Sequence, residues 1–134
     1  MSRRAAKEQT VAEEYIILIV EEDWDPSSVT EDQWVSVMQA HGAFAKAVAD
    51  AGAEILGGDA LQPPASGVRI TPARDGKPAV FTDGPFADTK EFVTGYYKIR
   101  AKDVAQAREL AALTPTSDRI ELYPVMDTGS MQEP

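Results

Sequence analysis

The apolar run Tyr15–Val20 is the first clear element of the chain. It is six residues long and rich in β-branched side chains, which fits a strand central in a sheet or covered on both faces. Before it, Met1 to about Glu14 is polar and aperiodic and reads as a loose tail. After it, Glu21–Thr30 is acidic, carries Pro26, Ser27 and Ser28, and reads as a loop long enough to border a cleft. The pattern then changes period. Trp34, Val37, Met38, His41, Phe44 or Ala45, and Val48 recur at three- and four-residue spacing, predicting a helix over 31–50 with these side chains on one face. Thr30 is its N-cap, Glu31 and Asp32 suit its first turn, and Gln33 completes a capping box. Gly42 inside it costs about 1 kcal/mol of propensity against Ala, which predicts the close approach of another element. Gly52 ends the helix.

Ala53–Leu61 is the next strand, and Gly57-Gly58 within it predicts a bulge or a close backbone contact. Gln62–Gly67 is a loop. Val68–Thr71 and Pro78–Thr82 flank Asp75-Gly76, a strong turn pair, and predict a β-hairpin. Val93–Arg100 is a further strand. Asp103 caps a short helix to about Leu113, with Val104, Ala107, Leu110 and Ala111 on its apolar face. Thr114–Ser117 ends that helix, Arg119–Met126 is the last strand, and Asp127–Pro134 is a tail. With the hairpin set aside, this order is the split βαβ pattern of a ferredoxin-like α+β fold, an antiparallel sheet with both helices on one face. The other face needs cover, and a second copy related by a two-fold axis supplies it. The domain is expected over 15–126, between tails at 1–14 and 127–134.

Composition narrows the function. A chain of 134 residues suits one domain. The net charge of -9 repels nucleic acid and anionic membranes alike. The absence of cysteine removes disulfides, thiolate nucleophiles and Cys-based metal sites. No apolar run has transmembrane length, and Arg3 and Arg4 precede no signal-type apolar segment, so a cytoplasmic location is the default. There is no P-loop and no GxGxxG, and a single histidine gives no metal-ligand spacing, so no cofactor is expected. Glu21, Glu22 and Asp23 have the chemistry of a hard-cation site, and equally that of a solvated acidic loop.

Two features carry candidate chemistry. The first is the stretch Asp83-Gly84-Pro85-Phe86-Ala87-Asp88-Thr89-Lys90-Glu91 between two strands. Gly84 and Pro85 set its backbone, Asp83 can accept from nearby amides, and Phe86 can anchor it in a pocket. It reads either as an ordered connection or as the rim of a ligand site lined by Gly84, Pro85, Phe86, Lys90 and Glu91. The second is His41, the only histidine, on the apolar face of the long helix. It reads either as a satisfied, partly buried side chain or as an acid–base group. Tyr96 and Tyr97 are adjacent in a strand and must face opposite sides, one under the helices. Trp24 reads as a lid over a cleft or a clamp on the sheet edge.

The stretch Asp83–Glu91 resembles the DGPF(A)ETKE signature of DGPF-domain proteins, within the broader YCII-related family, and departs from it at Asp88, where Glu is usual. Gly95-Tyr96-Tyr97, Val104–Leu110 and Ile120–Val125 add to the resemblance, which covers roughly residues 15–126. It implies a dimeric α+β barrel. It also implies a helix histidine about three turns before a glycine, as His41 and Gly52 stand here, paired with an aspartate that would be Asp83 or Asp59. Most of that family has no assigned reaction, and its DGPF members are associated with extracytoplasmic-function sigma factors. The expectation is a homodimer with a small-molecule site near His41 and the DGPF loop, His41 acting as acid or base beside an aspartate, Asp83 or Asp59. Two alternatives stay open: a ligand-binding or regulatory module tied to sigma-factor systems, and a structural dimer without activity.

Overall fold

The apolar run near the N-terminus extends into a ten-residue strand, β1 (Glu13–Glu22), in the computed structural model, which describes residues 13–22, 26–84 and 91–129. Glu13, Glu14, Glu21 and Glu22 therefore belong to the strand, not to a tail or loop. A single 3-10 turn, Pro26–Ser28, leads to α1 (Glu31–Asp50). The capping box forms as the sequence requires: Gln33 N–H donates to Thr30 Oγ1 at 3.2 Å and Thr30 N–H to Gln33 Oε1 at 2.8 Å. Gly52, at φ +79°, takes the left-handed position just past the helix. The chain continues through β2 (Glu54–Ala60), β3 (Val68–Thr71), β4 (Val80–Asp83), β5 (Glu91–Ala101), α2 (Val104–Ala111) and β6 (Arg119–Pro124).

β2, β5, β1 and β6 form one antiparallel sheet in that order, compatible with a ferredoxin-like fold. β3 and β4 pair only with each other among the described residues. Asp75 and Gly76 both take positive φ, 54° and 74°, and Arg74 and Lys77 exchange backbone hydrogen bonds around them. That is the tight turn an Asp-Gly pair favours.

Both helices contribute to one core. Tyr15 and Ile17 from β1, Ile99 and Ala101 from β5, Phe44 and Val48 from α1, and Ala107, Leu110 and Ala111 from α2 are buried together. Gln106 of α2 ties the helices, its amide donating to the carbonyl of Ala51 at 2.9 Å. The expected apolar face of α1 is only half used. Phe44 and Val48 are buried, whereas Trp34, Val37 and Met38 are exposed. Periodicity groups these side chains on one face but does not say how far the sheet reaches beneath them. The close approach predicted at Gly42 is likewise absent among the described residues, with nothing beyond its own helix backbone within 4 Å of where its Cβ would lie.

Two ladder irregularities shape the site. β5 carries an extra residue, Thr94, between Gly95, opposite Ile19, and Val93, opposite Val20. β2 carries an extra residue, Leu56, between Ile55, opposite Ile99, and Gly57, opposite Lys98. Among the described residues no helix is long and apolar enough to cross a membrane.

Candidate functional site

His41 lies one turn before Phe44 on the inner face of α1 and is partly buried. Its partner is Tyr97 of β5, with Nδ1 of His41 and Oη of Tyr97 2.6 Å apart. Tyr97 stands opposite Ile17 and so faces the helices, while Tyr96 faces away. The Tyr97 ring packs on Phe44 at a centroid distance of 4.8 Å. Its place depends on Gly58 across the ladder. A Cβ there would lie 2.7 Å from Cδ1 of Tyr97 and 2.8 Å from the Tyr96 carbonyl oxygen. The bulge and close contact expected at Gly57-Gly58 thus both occur, the bulge at Leu56 and the contact at Gly58.

Glu21 completes the constellation. It continues the inward set Tyr15, Ile17 and Ile19 at a spacing of two. Its Oε1 accepts from Thr94 Oγ1 at 2.6 Å, and its Oε2 accepts from Ser117 Oγ at 2.8 Å and Ser117 N–H at 3.2 Å. Thr116 Oγ1 donates more weakly at 3.5 Å. Burial pushes the Glu21 carboxyl up, but these hydrogen bonds outweigh it and hold the group below its ordinary value. Burial also pushes His41 below its ordinary value, offset in part by the negative charge of Glu21. Burial raises Tyr97. Near neutral pH the site therefore holds a neutral imidazole, a protonated phenol and a charged carboxylate. The short contact is open to two tautomers, with Tyr97 donating to Nδ1 or Nδ1–H donating to Tyr97. In the second, Nε2 carries a free lone pair.

The expected partners of His41 lie elsewhere. Asp59 stands opposite Tyr96 on the other sheet face and accepts from its hydroxyl at 2.8 Å. Asp83 ends β4 and is exposed, and among the described residues no hydrogen bond or ion pair joins it to His41. Gly84 has φ +56°, and its N–H donates to the Gly67 carbonyl at 3.0 Å, pinning the start of the DGPF loop. Pro85, Phe86, Lys90 and Trp24 lie outside the described residues. Glu91 stands opposite Glu22, on the sheet face away from Glu21, and forms an ion pair with Arg119. Among the described residues, Glu22, Glu91 and Asp118 are the group able to approach a cation together, with carboxylate oxygens within 4.8 Å of one another. They are exposed, and Arg119 already neutralises Glu91.

Sequence reading put Glu21 in an acidic loop instead of beside His41, and missed Thr94, Ser117 and the pairing of Tyr97 with His41. For Glu21 the signal was present in the alternation of β1. Two surface grooves flank the first half of α1, and His41 lines neither. No curated protein matches the chain. The YCII-related domain model matches residues 14–128, nearly the whole described structure, and the chain belongs to that family.

Proposed function

We propose that this YCII-related protein binds a small organic molecule beside His41 and uses that histidine as its acid–base group, within a homodimer. The observation that carries the reading is the 2.6 Å contact of His41 with Tyr97 at a partly buried position. Tyr97 orients the ring, Nε2 exchanges the proton with the bound molecule, and Glu21 stabilises the imidazolium through its charge. Dimerisation is supported by the sheet face opposite the helices. Ile16, Leu18, Tyr96 and Tyr123 line it, and Glu14 bridges Lys98 and Arg100 at one end.

A thermal-shift screen against small organic acids, amides and ketones tests the reading. A hit should bind the parent protein and lose at least tenfold affinity in His41→Ala. Equal binding by the variant removes His41 from the site. Light scattering should give about twice the 14.5 kDa chain mass, and a monomer at micromolar concentration removes the dimer.

A further inference from the structure

Residues 31–40 of α1 are all exposed, and full burial begins only at Phe44. At 1.5 Å per residue, the helix overhangs the sheet by roughly 15 Å. Trp34, Val35, Val37 and Met38 on this overhang are 37–65% exposed. A shallow groove of about 400 Å³, lined by Glu31, Trp34, Val35, Met38 and Gln39, runs along it.

The same chain carries a second exposed apolar surface. β3 and β4 form a sheet of two strands, and a lone two-stranded hairpin is marginal in water without a helix or further strand against it. Ile70 and Phe81 are directly opposite each other and so point to one side, where they are 49% and 65% exposed. Asp83, two residues beyond Phe81, points to that side as well. The charges are complementary. The overhang begins with Glu31 and Asp32 and has no lysine or arginine before Lys46. The arm carries Arg69, Arg74 and Lys77 against Asp75 and Asp83, a small positive excess in a chain of net charge -9.

We propose that the arm of a second copy of this chain lays its Ile70–Phe81 face on the α1 overhang, with Arg74 and Lys77 against Glu31 and Asp32. Both halves of the contact reside in one sequence, so a two-fold arrangement satisfies both at once: each copy lends an arm and receives one. His41 lies one turn beyond Val37 and Met38, so the docked arm carries its Asp83 toward the His41 of the copy that receives it. This last step rests on the acid–base reading of His41; the docking does not.

The absence of native cysteine makes the test direct. Met38→Cys and Phe81→Cys each place one thiol at a position 65% exposed, where folding tolerates it. The two variants, co-expressed and treated with a short bismaleimide, should give a linked species of about twice 14.5 kDa, at least tenfold more than either variant alone. Arg74→Glu with Lys77→Glu should suppress it, and Glu31→Lys with Asp32→Lys in the other copy should restore it. No linked species overturns the docking. So does a Met38→Cys/Phe81→Cys double variant that links only within one chain, which would mean the arm folds back on its own helix. The titration of the single histidine, followed by NMR, should move in Asp83→Asn. An unmoved titration with intermolecular linking intact removes Asp83 from the site. Failure of His41→Ala to weaken a ligand, by contrast, refutes the acid–base reading and leaves the linking result as it stands.

Discussion

Gly58→Ala is the sharpest perturbation of the site that leaves every polar group in place. The added Cβ would meet Cδ1 of Tyr97 at 2.7 Å and the Tyr96 carbonyl oxygen at 2.8 Å. That carbonyl belongs to the backbone of β5, so it cannot yield without disturbing the sheet. The Tyr97 ring or the end of β2 must move instead. Forcing an extra carbon into a packed site costs about 1–3 kcal/mol, and losing the His41–Tyr97 hydrogen bond adds about 0.5–1.5 kcal/mol, so roughly 2–4 kcal/mol is expected. That is a large part of the roughly 5–15 kcal/mol that keeps a domain folded. Gly57→Ala is the control, because among the described residues its Cβ would meet nothing within 4 Å beyond its chain neighbours. Its effect should stay within about 0.5 kcal/mol. Urea unfolding of the two variants measures the difference. NMR titration of the single histidine should also show its pKa rising toward the ordinary value in Gly58→Ala, because burial, the first cause of its depression, is relieved. If Gly58→Ala unfolds with Gly57→Ala and leaves the titration unmoved, Gly58 does not hold Tyr97 in place.

Glu21→Gln keeps an oxygen for Thr94 and Ser117 but removes the charge that favours imidazolium, so the His41 pKa should fall further by NMR; an unchanged value refutes the coupling. Tyr97→Phe should retain the packing on Phe44 and lose about 0.5–1.5 kcal/mol in urea unfolding, the worth of one hydrogen bond; a loss above about 3 kcal/mol would mean that packing, not the bond, dominates. His41 has a folded pKa below its unfolded value near 6.5, so its contribution to stability is present above that pH and is lost as pH falls through the folded pKa. His41→Gln should flatten that part of the unfolding midpoint against pH. Glu21 is also depressed, so its contribution is present above about 4.5 and is lost at lower pH, a separate window that His41→Gln should leave intact.

The parts of the fold governed by local chemistry were legible in the sequence. Thr30 with Gln33 marks the start of α1, and Asp75-Gly76 marks the turn between β3 and β4. The site was less legible because ladder irregularities break the two-residue alternation. From Ile55, strict alternation puts Asp59 on the helix face near His41. The extra residue at Leu56 shifts it to the other face, where it meets Tyr96. Thr94 is likewise freed from the alternation of β5, and its hydroxyl reaches Glu21. Nothing in the sequence marks Thr94 as a bulge. The exposed half of α1 was illegible for a different reason: a stripe of apolar side chains states a demand for cover, and the covering surface belongs to tertiary structure.

The two bulges act together on the chemistry of His41. One takes the Asp59 carboxylate away from the histidine, and the other binds the Glu21 carboxylate to hydroxyl donors. A carboxylate hydrogen-bonded directly to the ring would favour imidazolium at neutral pH. Here Glu21 is occupied by Thr94, Thr116 and Ser117, and the ring bonds to a phenol that burial keeps protonated. The imidazole thus stays neutral in its resting form, while the charge of Glu21 lowers the cost of taking up a proton. Exchanging these roles would reverse the balance. Tyr97→Glu would place a second carboxylate within reach of Nδ1 and raise the His41 pKa above its ordinary value, turning a proton acceptor into a fixed cation near pH 7. NMR titration of that variant distinguishes the cases. A histidine still neutral at pH 7 beside a glutamate at position 97 would show that burial alone sets its charge and that the choice of a phenol partner is immaterial.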